Sequence, residues 1–390
     1  MCPQKADIRD AIKANIGQIT LDGLKRNRRA HDTPQGPVIR FNNKNLINFC
    51  SNDYLGLANH PALITAMKQG VDQYGVGAGA SQLVCGYTTA HEKLEERVSA
   101  FTGRQRAIIF SSGYLANLSI VNTLLDRADM VLGDRLNHAS MIDAARMSRA
   151  GFKRYWHVDT DALRNLLQAP GAGKKLVMTD GVFSMDGDIA PIPDLFRVCA
   201  EMNAWLAVDD AHGFGVLGES GGGTVQHYGL SAQEVPILMG TFGKALGTAG
   251  AFIAGDEDVI EQFIQSARTL IYSTALPPAL AFATVRALDL INEEKWRREH
   301  LYALINRFKK GARELGLSIT GSDTAIQPLL TGAAEKAVEL SRQLLEKGFN
   351  VVAIRPPTVP NGTSRLRITL TAAHSEAQVD QLLDVLSVLG

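Results

Sequence analysis

Hydrophobic positions along the chain fall into two periods. Short apolar runs at 106–110 (RAIIF), 129–132 (DMVL), 175–179 (KLVMT), 205–209 (WLAVD), 236–240 (PILMG) and 250–254 (GAFIA) have the length of buried strands. Stretches of helical period over 91–102, 115–125, 139–149 and 193–203 lie between them. Strands alternating with helices predict an α/β fold with a mostly parallel sheet. In such sheets ligands gather beyond the carboxyl ends of the strands.

The flanks read differently. Residues 5–30 predict a helix, 37–49 a hairpin turning at Asn42-Asn43-Lys44-Asn45, and 61–74 a helix with Pro61 in its first turn. Gly75-Val76-Gly77-Ala78-Gly79-Ala80 imitates a dinucleotide loop, but it follows a helix where that fingerprint needs a strand. Past Pro277-Pro278 a long helical stretch, about 279–315 with room for breaks, leads to strands near 317–320, 326–331, 350–355 and 364–371 and helices over 333–347 and 375–388. The expected organisation is an N-terminal helix and hairpin (1–57) joining a smaller α+β domain (293–390), with a large domain (58–292) between.

Composition narrows the function. A chain of 390 residues with 45% hydrophobic and 21% charged residues is long enough for two cores. Its 40 basic and 40 acidic side chains leave no net charge, which argues against nucleic acid or an anionic membrane as partner. No apolar run approaches a membrane span. Cys2, Cys50, Cys85 and Cys199 have no metal-ligand spacing, and with no apolar signal core at the N-terminus they read as reduced thiols of a cytoplasmic protein. In the basic cluster Lys25-Arg26-Asn27-Arg28-Arg29, most members read as a solvated face.

The chemistry collects after the strands. Lys244 follows an apolar run inside TFGKALG, among Gly, Ala, Leu and Phe. An apolar setting depresses a lysine pKa and favours the free amine that forms Schiff bases. Asp209 ends a strand, where a carboxylate needs a partner, and His212 is close behind. Ser111-Ser112-Gly113-Tyr114 opens a helix whose N–H groups favour a phosphate. Taken singly, Lys244 reads equally as a solvated turn lysine, His212 as a core histidine and the serines as a helix cap. Together at one sheet edge, an amine, a carboxylate, a histidine and a phosphate seat are what pyridoxal phosphate requires.

Long motifs carry a resemblance: SNDYLGL (51–57), SSGYLAN (111–117), DRLNHAS (134–140), TDGVFSMDGD (179–188), VDDAHGFGVLGE (208–219), TFGKALG (241–247), IYSTALPP (271–278) and IRPPTVPNGTSRLRITLTAAH (354–374). In this order they resemble the α-oxoamine synthases, fold type I pyridoxal-phosphate enzymes. That resemblance implies an aspartate-aminotransferase-like large domain, a pyridoxal 5'-phosphate cofactor and a homodimer with shared active sites. It makes Lys244 the Schiff-base lysine and proton-transfer base, Asp209 the partner of the pyridine nitrogen and His212 that of the ring's phenolic oxygen. It stacks His138 on the ring, sets Ser184 beside it, and gives the phosphate to Gly113, Tyr114 and Thr241, with Ser273 and Thr274 reaching the other subunit's phosphate. Arg355 becomes the clamp for the amino-acid carboxylate, and Arg26, Asn52 and Thr358 substrate contacts. Asp180 stands where part of the family has Glu and receives no role.

The wording DDAHG points to the branch serving biotin biosynthesis, which joins L-alanine to a pimeloyl thioester of coenzyme A or an acyl carrier protein. A relative using another pair, such as glycine with acetyl-CoA, is the alternative. Gly218-Glu219-Ser220-Gly221-Gly222 matches a serine-hydrolase elbow formally, but the glycines that follow cannot open the required helix. A third reading is a relative that keeps the fold without catalysis, against which Lys244, Asp209 and His212 all speak.

Overall fold

The computed structural model describes residues 7–21, 24–171 and 173–389. Cys2 and the expected first residues of the opening helix lie outside them. That helix runs Ile8–Leu21, so the basic cluster follows it in irregular chain. Strands β1 (Val38–Phe41) and β2 (Lys44–Asn48) form a hairpin around Asn42 and Asn43. Both asparagines have positive φ, 47 and 60, a conformation their short polar side chains tolerate.

Next come β3 (Arg106–Phe110), β4 (Met130–Asp134), β5 (Gly151–Tyr155), β6 (Lys175–Asp180), β7 (Trp205–Asp209), β8 (Ile237–Thr241) and β9 (Ala251–Gly255). They form one seven-stranded sheet in the order β3-β9-β8-β7-β6-β4-β5. Pairing is parallel from β8 to β5, and β9 runs antiparallel to both its neighbours. Alternate side chains face opposite ways: Val177 and Val208 join one core cluster, Leu176, Met178 and Ala207 another. Both faces are therefore covered, as a parallel sheet requires.

The smaller strands are β10 (Ile326–Gly332), β11 (Phe349–Asn350), β12 (Val352–Ile354) and β13 (Ser364–Thr369). β13 lies between β10 and β12, while β11 pairs parallel with β2 of the N-terminal hairpin. Phe49 stacks on His374 at 4.3 Å just beyond that pairing.

The helical stretch past Pro277 breaks once, into Pro278–Glu293 and Trp296–Glu314, as the expectation allowed. Other elements differ from expectation. The strand near 317–320 is a single bridge between Ile319 and Leu329. β5 was not anticipated, because GFKRY is a polar edge strand with one buried residue, Tyr155. The amphipathic helices Thr160–Leu167 and Glu257–Ser266 were also missed.

Candidate active site

β7 and β8 are neighbours, with Asp209 opposite Met239, so the chain leaves both strands on one edge. Lys244 sits in the turn after β8, closed by Gly247 N–H to Lys244 O and Thr248 N–H to Phe242 O, each 2.9 Å. Gly247 has φ +67, and a Cβ there would stand 2.4 Å from the Ala58 nitrogen. Only glycine lets the lysine turn lie this close to the 53–58 loop. Asp53 pins that loop by accepting the N–H groups of Leu57 (2.8 Å) and Ala58 (3.0 Å). Burial draws the Lys244 pKa down to about 8; Arg367 adds to this, while Asp209 and Asp180 oppose it. The free amine is therefore accessible near neutral pH.

Asp209 is buried, with Oδ1 accepting the Ala211 N–H at 3.0 Å and Oδ2 accepting the Asn117 amide at 2.6 Å. Its register partner on β6 is Asp180. Burial first, then Asp209, raises the Asp180 pKa well above the carboxylate range. Asp180 Oδ2 accepts the backbone N–H of His138 at 2.7 Å, fixing the start of helix Ala139–Met147. His138 remains exposed. The protein around it lowers its pKa, burial first and Lys244 adding, against Asp209. His212 is buried, and burial followed by Lys244, Arg367 and His138 holds it far below the usual imidazole range. The Tyr54 hydroxyl lies 2.5 Å from His212 Nδ1. On a neutral imidazole whose Nδ1 accepts that O–H, the proton sits on Nε2.

A second corner of the site suits an anion. Gly113 opens helix Gly113–Leu124, capped by Ser112 Oγ accepting the Leu115 N–H at 3.3 Å. A Cβ on Gly113 would stand 2.7 Å from Thr241 Cγ2, so the helix start abuts the end of β8. Thr241 Oγ1 is buried without a hydrogen-bond partner there. An unsatisfied hydroxyl beside a helix N-terminus fits a phosphate. With Lys244, Asp209 and His212 on the same sheet edge, the donor set fits pyridoxal phosphate. Tyr114 is exposed, its hydroxyl bonded to Asp143. Ser273 is half-buried and Thr274 exposed, and Thr274 bridges Ser81. Among the described residues no group of His, Cys, Asp and Glu could hold a metal ion.

Sequence reasoning missed Arg367. Its buried guanidinium donates from Nε to Ser184 O at 2.6 Å, from Nη1 to Thr369 Oγ1 at 2.9 Å and from both terminal nitrogens to Asn52 Oδ1 at 3.2 Å. It thereby ties two predicted residues, Asn52 and Ser184, together. Its field acts on both Lys244 and His212. Arg26, Arg355 and Thr358 instead line an outer cavity of about 830 Å³. There Arg355 Nη2 donates to Lys25 O at 3.3 Å. A neighbouring cavity of about 540 Å³ is bounded by Asn52 and Gly243 and shares Cys50 and Asn350 with the first. Ser220 is half-buried and its hydroxyl is bonded to the Gln226 amide rather than to a histidine that could take its proton, so it is no hydrolase nucleophile.

Residues 44–386 match the family described as aminotransferase class I and II. The 8-amino-7-oxononanoate synthase of Nitrosococcus oceani is 56% identical over 371 residues, 95% of this chain and 98% of that one. The same-named protein of Thioalkalivibrio sulfidiphilus is 55% identical over 376 residues, 96% of each. Among solved structures, a serine palmitoyltransferase from S. paucimobilis with bound PLP and myriocin superposes with a TM-score of 0.93 at 28% identity, covering 100% of this chain and 98% of that one. The 8-amino-7-oxononanoate synthase of Francisella tularensis gives 0.78 at 32% identity, covering 88% and 97%. No helix among the described residues is long and apolar enough to cross a membrane. The chain belongs to the aminotransferase class I and II family and, within it, to the α-oxoamine synthases, with the 8-amino-7-oxononanoate synthases as relatives.

Proposed function

We propose that this enzyme condenses L-alanine with a pimeloyl thioester, releasing carbon dioxide and the free thiol and giving 8-amino-7-oxononanoate for biotin synthesis. The reading rests on one observation above all: a lysine with pKa near 8 beside a buried aspartate at the rim of the sheet. Identity above half over nearly the whole chain to synthases of this name supports the substrate pair over glycine with acetyl-CoA.

When bound at Lys244, pyridoxal phosphate supplies a carbon that bonds the substrate amine and a ring that takes up electrons from its Cα. The protein does the rest. Asp209 keeps a proton on the pyridine nitrogen. His212 offers Nε2–H to the phenolic oxygen, and His138 covers the ring face. Gly113, Tyr114 and Thr241 hold the phosphate. Lys244 Nζ, once free, removes the alanine Cα proton and returns one after carbon dioxide leaves. Arg355 holds the alanine carboxylate, while Ser184 lines the ring. Arg26, Asn52 and Thr358 contact the acyl donor, carried by coenzyme A or an acyl carrier protein.

The working unit is a homodimer in which Ser273 and Thr274 complete the partner's phosphate site. The apolar surface around them, Leu83, Val84 and Tyr272 at 52%, 77% and 71% exposure, supports a covered face. Borohydride trapping with peptide mapping tests the reading. A pyridoxyl group on Lys244, with carbon dioxide release that depends on both alanine and a pimeloyl thioester, is expected. A label elsewhere, or release with glycine and acetyl-CoA instead, overturns it.

A further inference from the structure

Two buried side chains with no role so far connect Asp209 to His138. Asn117 lies within helix Gly113–Leu124 and Ser140 in the first turn of helix Ala139–Met147, 1% and 0% exposed. Asn117 Nδ2 stands 2.6 Å from Asp209 Oδ2 and 2.8 Å from Ser140 Oγ. Ser140 Oγ stands 2.7 Å from His138 Nδ1, and the Ser140 N–H points to the same nitrogen at 3.3 Å.

The proton inventory along this path has one solution. An amide nitrogen has two hydrogens and no acceptor capacity, so Asn117 donates to both oxygens. The Ser140 backbone N–H can only donate, so His138 Nδ1 is an acceptor, and Ser140 Oγ, which accepts from Asn117, gives its own hydrogen to the same nitrogen. That nitrogen then receives two donors and must present its lone pair. The neutral imidazole carries its proton on Nε2. Reversing the Asn117 amide would set its oxygen against the aspartate oxygen. The orientation has a cost: Asn117 Oδ1 is buried without a partner. A hydrophobic residue would avoid that cost, so the polar path needs a reason to exist.

We propose that Asn117 and Ser140 are positioning residues, which hold the Asp209 carboxylate in place and lock His138 in the Nε2–H form with its ring plane fixed. This deepens the functional reading above and rests on it for the meaning of both end groups. The protein around the imidazole, with the Lys244 amine adding and Asp209 opposing, lowers the His138 pKa and so favours the neutral ring that the assignment needs.

The test separates this proposal from that reading by beginning without cofactor. Nitrogen NMR of 15N-histidine-labelled, cofactor-free protein is expected to show His138 protonated at Nε2. Ser140→Ala should shift it toward a mixture of tautomers, and Ser140→Thr, which keeps the hydroxyl, should restore it. Pyridoxal phosphate titrated by fluorescence should bind Asn117→Ala about tenfold more weakly, and Asn117→Asp, with two carboxylates face to face, more weakly still. Circular dichroism checks the fold of each variant, and Ser140→Ala, which loses one oxygen, decides the matter if Asn117→Ala fails to fold. An unchanged tautomer in Ser140→Ala, or unchanged affinity in folded Asn117→Ala, overturns the proposal. A wild-type protein that binds the cofactor away from Lys244 sinks the functional reading and leaves the tautomer result standing.

Discussion

The sheet rim and the outer cavity are built on opposite principles. At the rim Asp180, Asp209 and His212 are 2%, 5% and 8% exposed, and each is bonded to a named neighbour. In the outer cavity Arg26 and Thr358 are exposed and Arg355 is half-buried. Folding has already desolvated and oriented the rim groups, so they meet a rigid ring without further ordering. The cavity keeps its charges in water, which suits a long, flexible acyl chain that arrives and leaves with each turnover. Damage at the rim should therefore abolish chemistry, and damage in the cavity should weaken binding.

The largest effect is expected at Lys244. Lys244→Ala removes the covalent anchor and the proton carrier together, and carbon dioxide release should fall by at least about 10⁴-fold. Residual activity above about 1% would mean that another group moves the Cα proton, and the contrast between the regions would lose its centre. Asp209→Asn comes next. The amide fills the same space but cannot hold the pyridine proton by charge, so kcat should drop about 10²–10³-fold, with Lys244 still trapped by borohydride. Equal loss of trapping would show that Asp209 serves binding rather than chemistry.

These two residues were legible in the sequence because local pattern determines where they lie. An apolar run that stops at Asp209 or Thr241 must deliver the next residues to a sheet edge, whatever the rest of the chain does. Arg367 and Asn117 were not legible. Arg367 sits inside the alternating run SRLRITL, and its bonds to Asn52 span 315 residues. Nothing local distinguishes it from Arg365, which bonds Asp186 instead. Asp180 likewise receives no role from the sequence until the pairing of β6 with β7 sets it against Asp209. β5 escaped because an edge strand with one buried side chain has no hydrophobic period to read. Local signals thus gave the strand ends that carry Asp209 and Thr241. The groups that hold them there depend on which strands and helices become neighbours.

Arg355→Ala sharpens the comparison from the cavity side. If its guanidinium grips the alanine carboxylate, KM for alanine should rise about 10–100-fold while the Lys244 label persists. Arg355→Lys should recover only part of this, because an ammonium cannot grip with two parallel bonds. An unchanged KM would transfer the clamp to Arg367, whose field already reaches Lys244, and the alanine site would then belong wholly to the rim.

The smallest effect concerns stability without cofactor. Lys244 has a folded pKa of about 8 against an ordinary 10.5. Below about 8 both folded and unfolded chains hold the proton, and the folded state bears the full cost of the partly desolvated charge. Between about 8 and 10.5 the unfolded chain keeps its proton longer, so this contribution favours folding more as pH rises. Lys244→Met removes the charge and keeps the bulk. At pH 7 the cofactor-free variant should melt higher than wild type by about 2 °C, and the gap should close toward pH 10. A gap that does not depend on pH would trace the gain to packing. A lower melting point throughout would mean that the rim is not strained by its own lysine, and that the amine is as well solvated as those around the outer cavity.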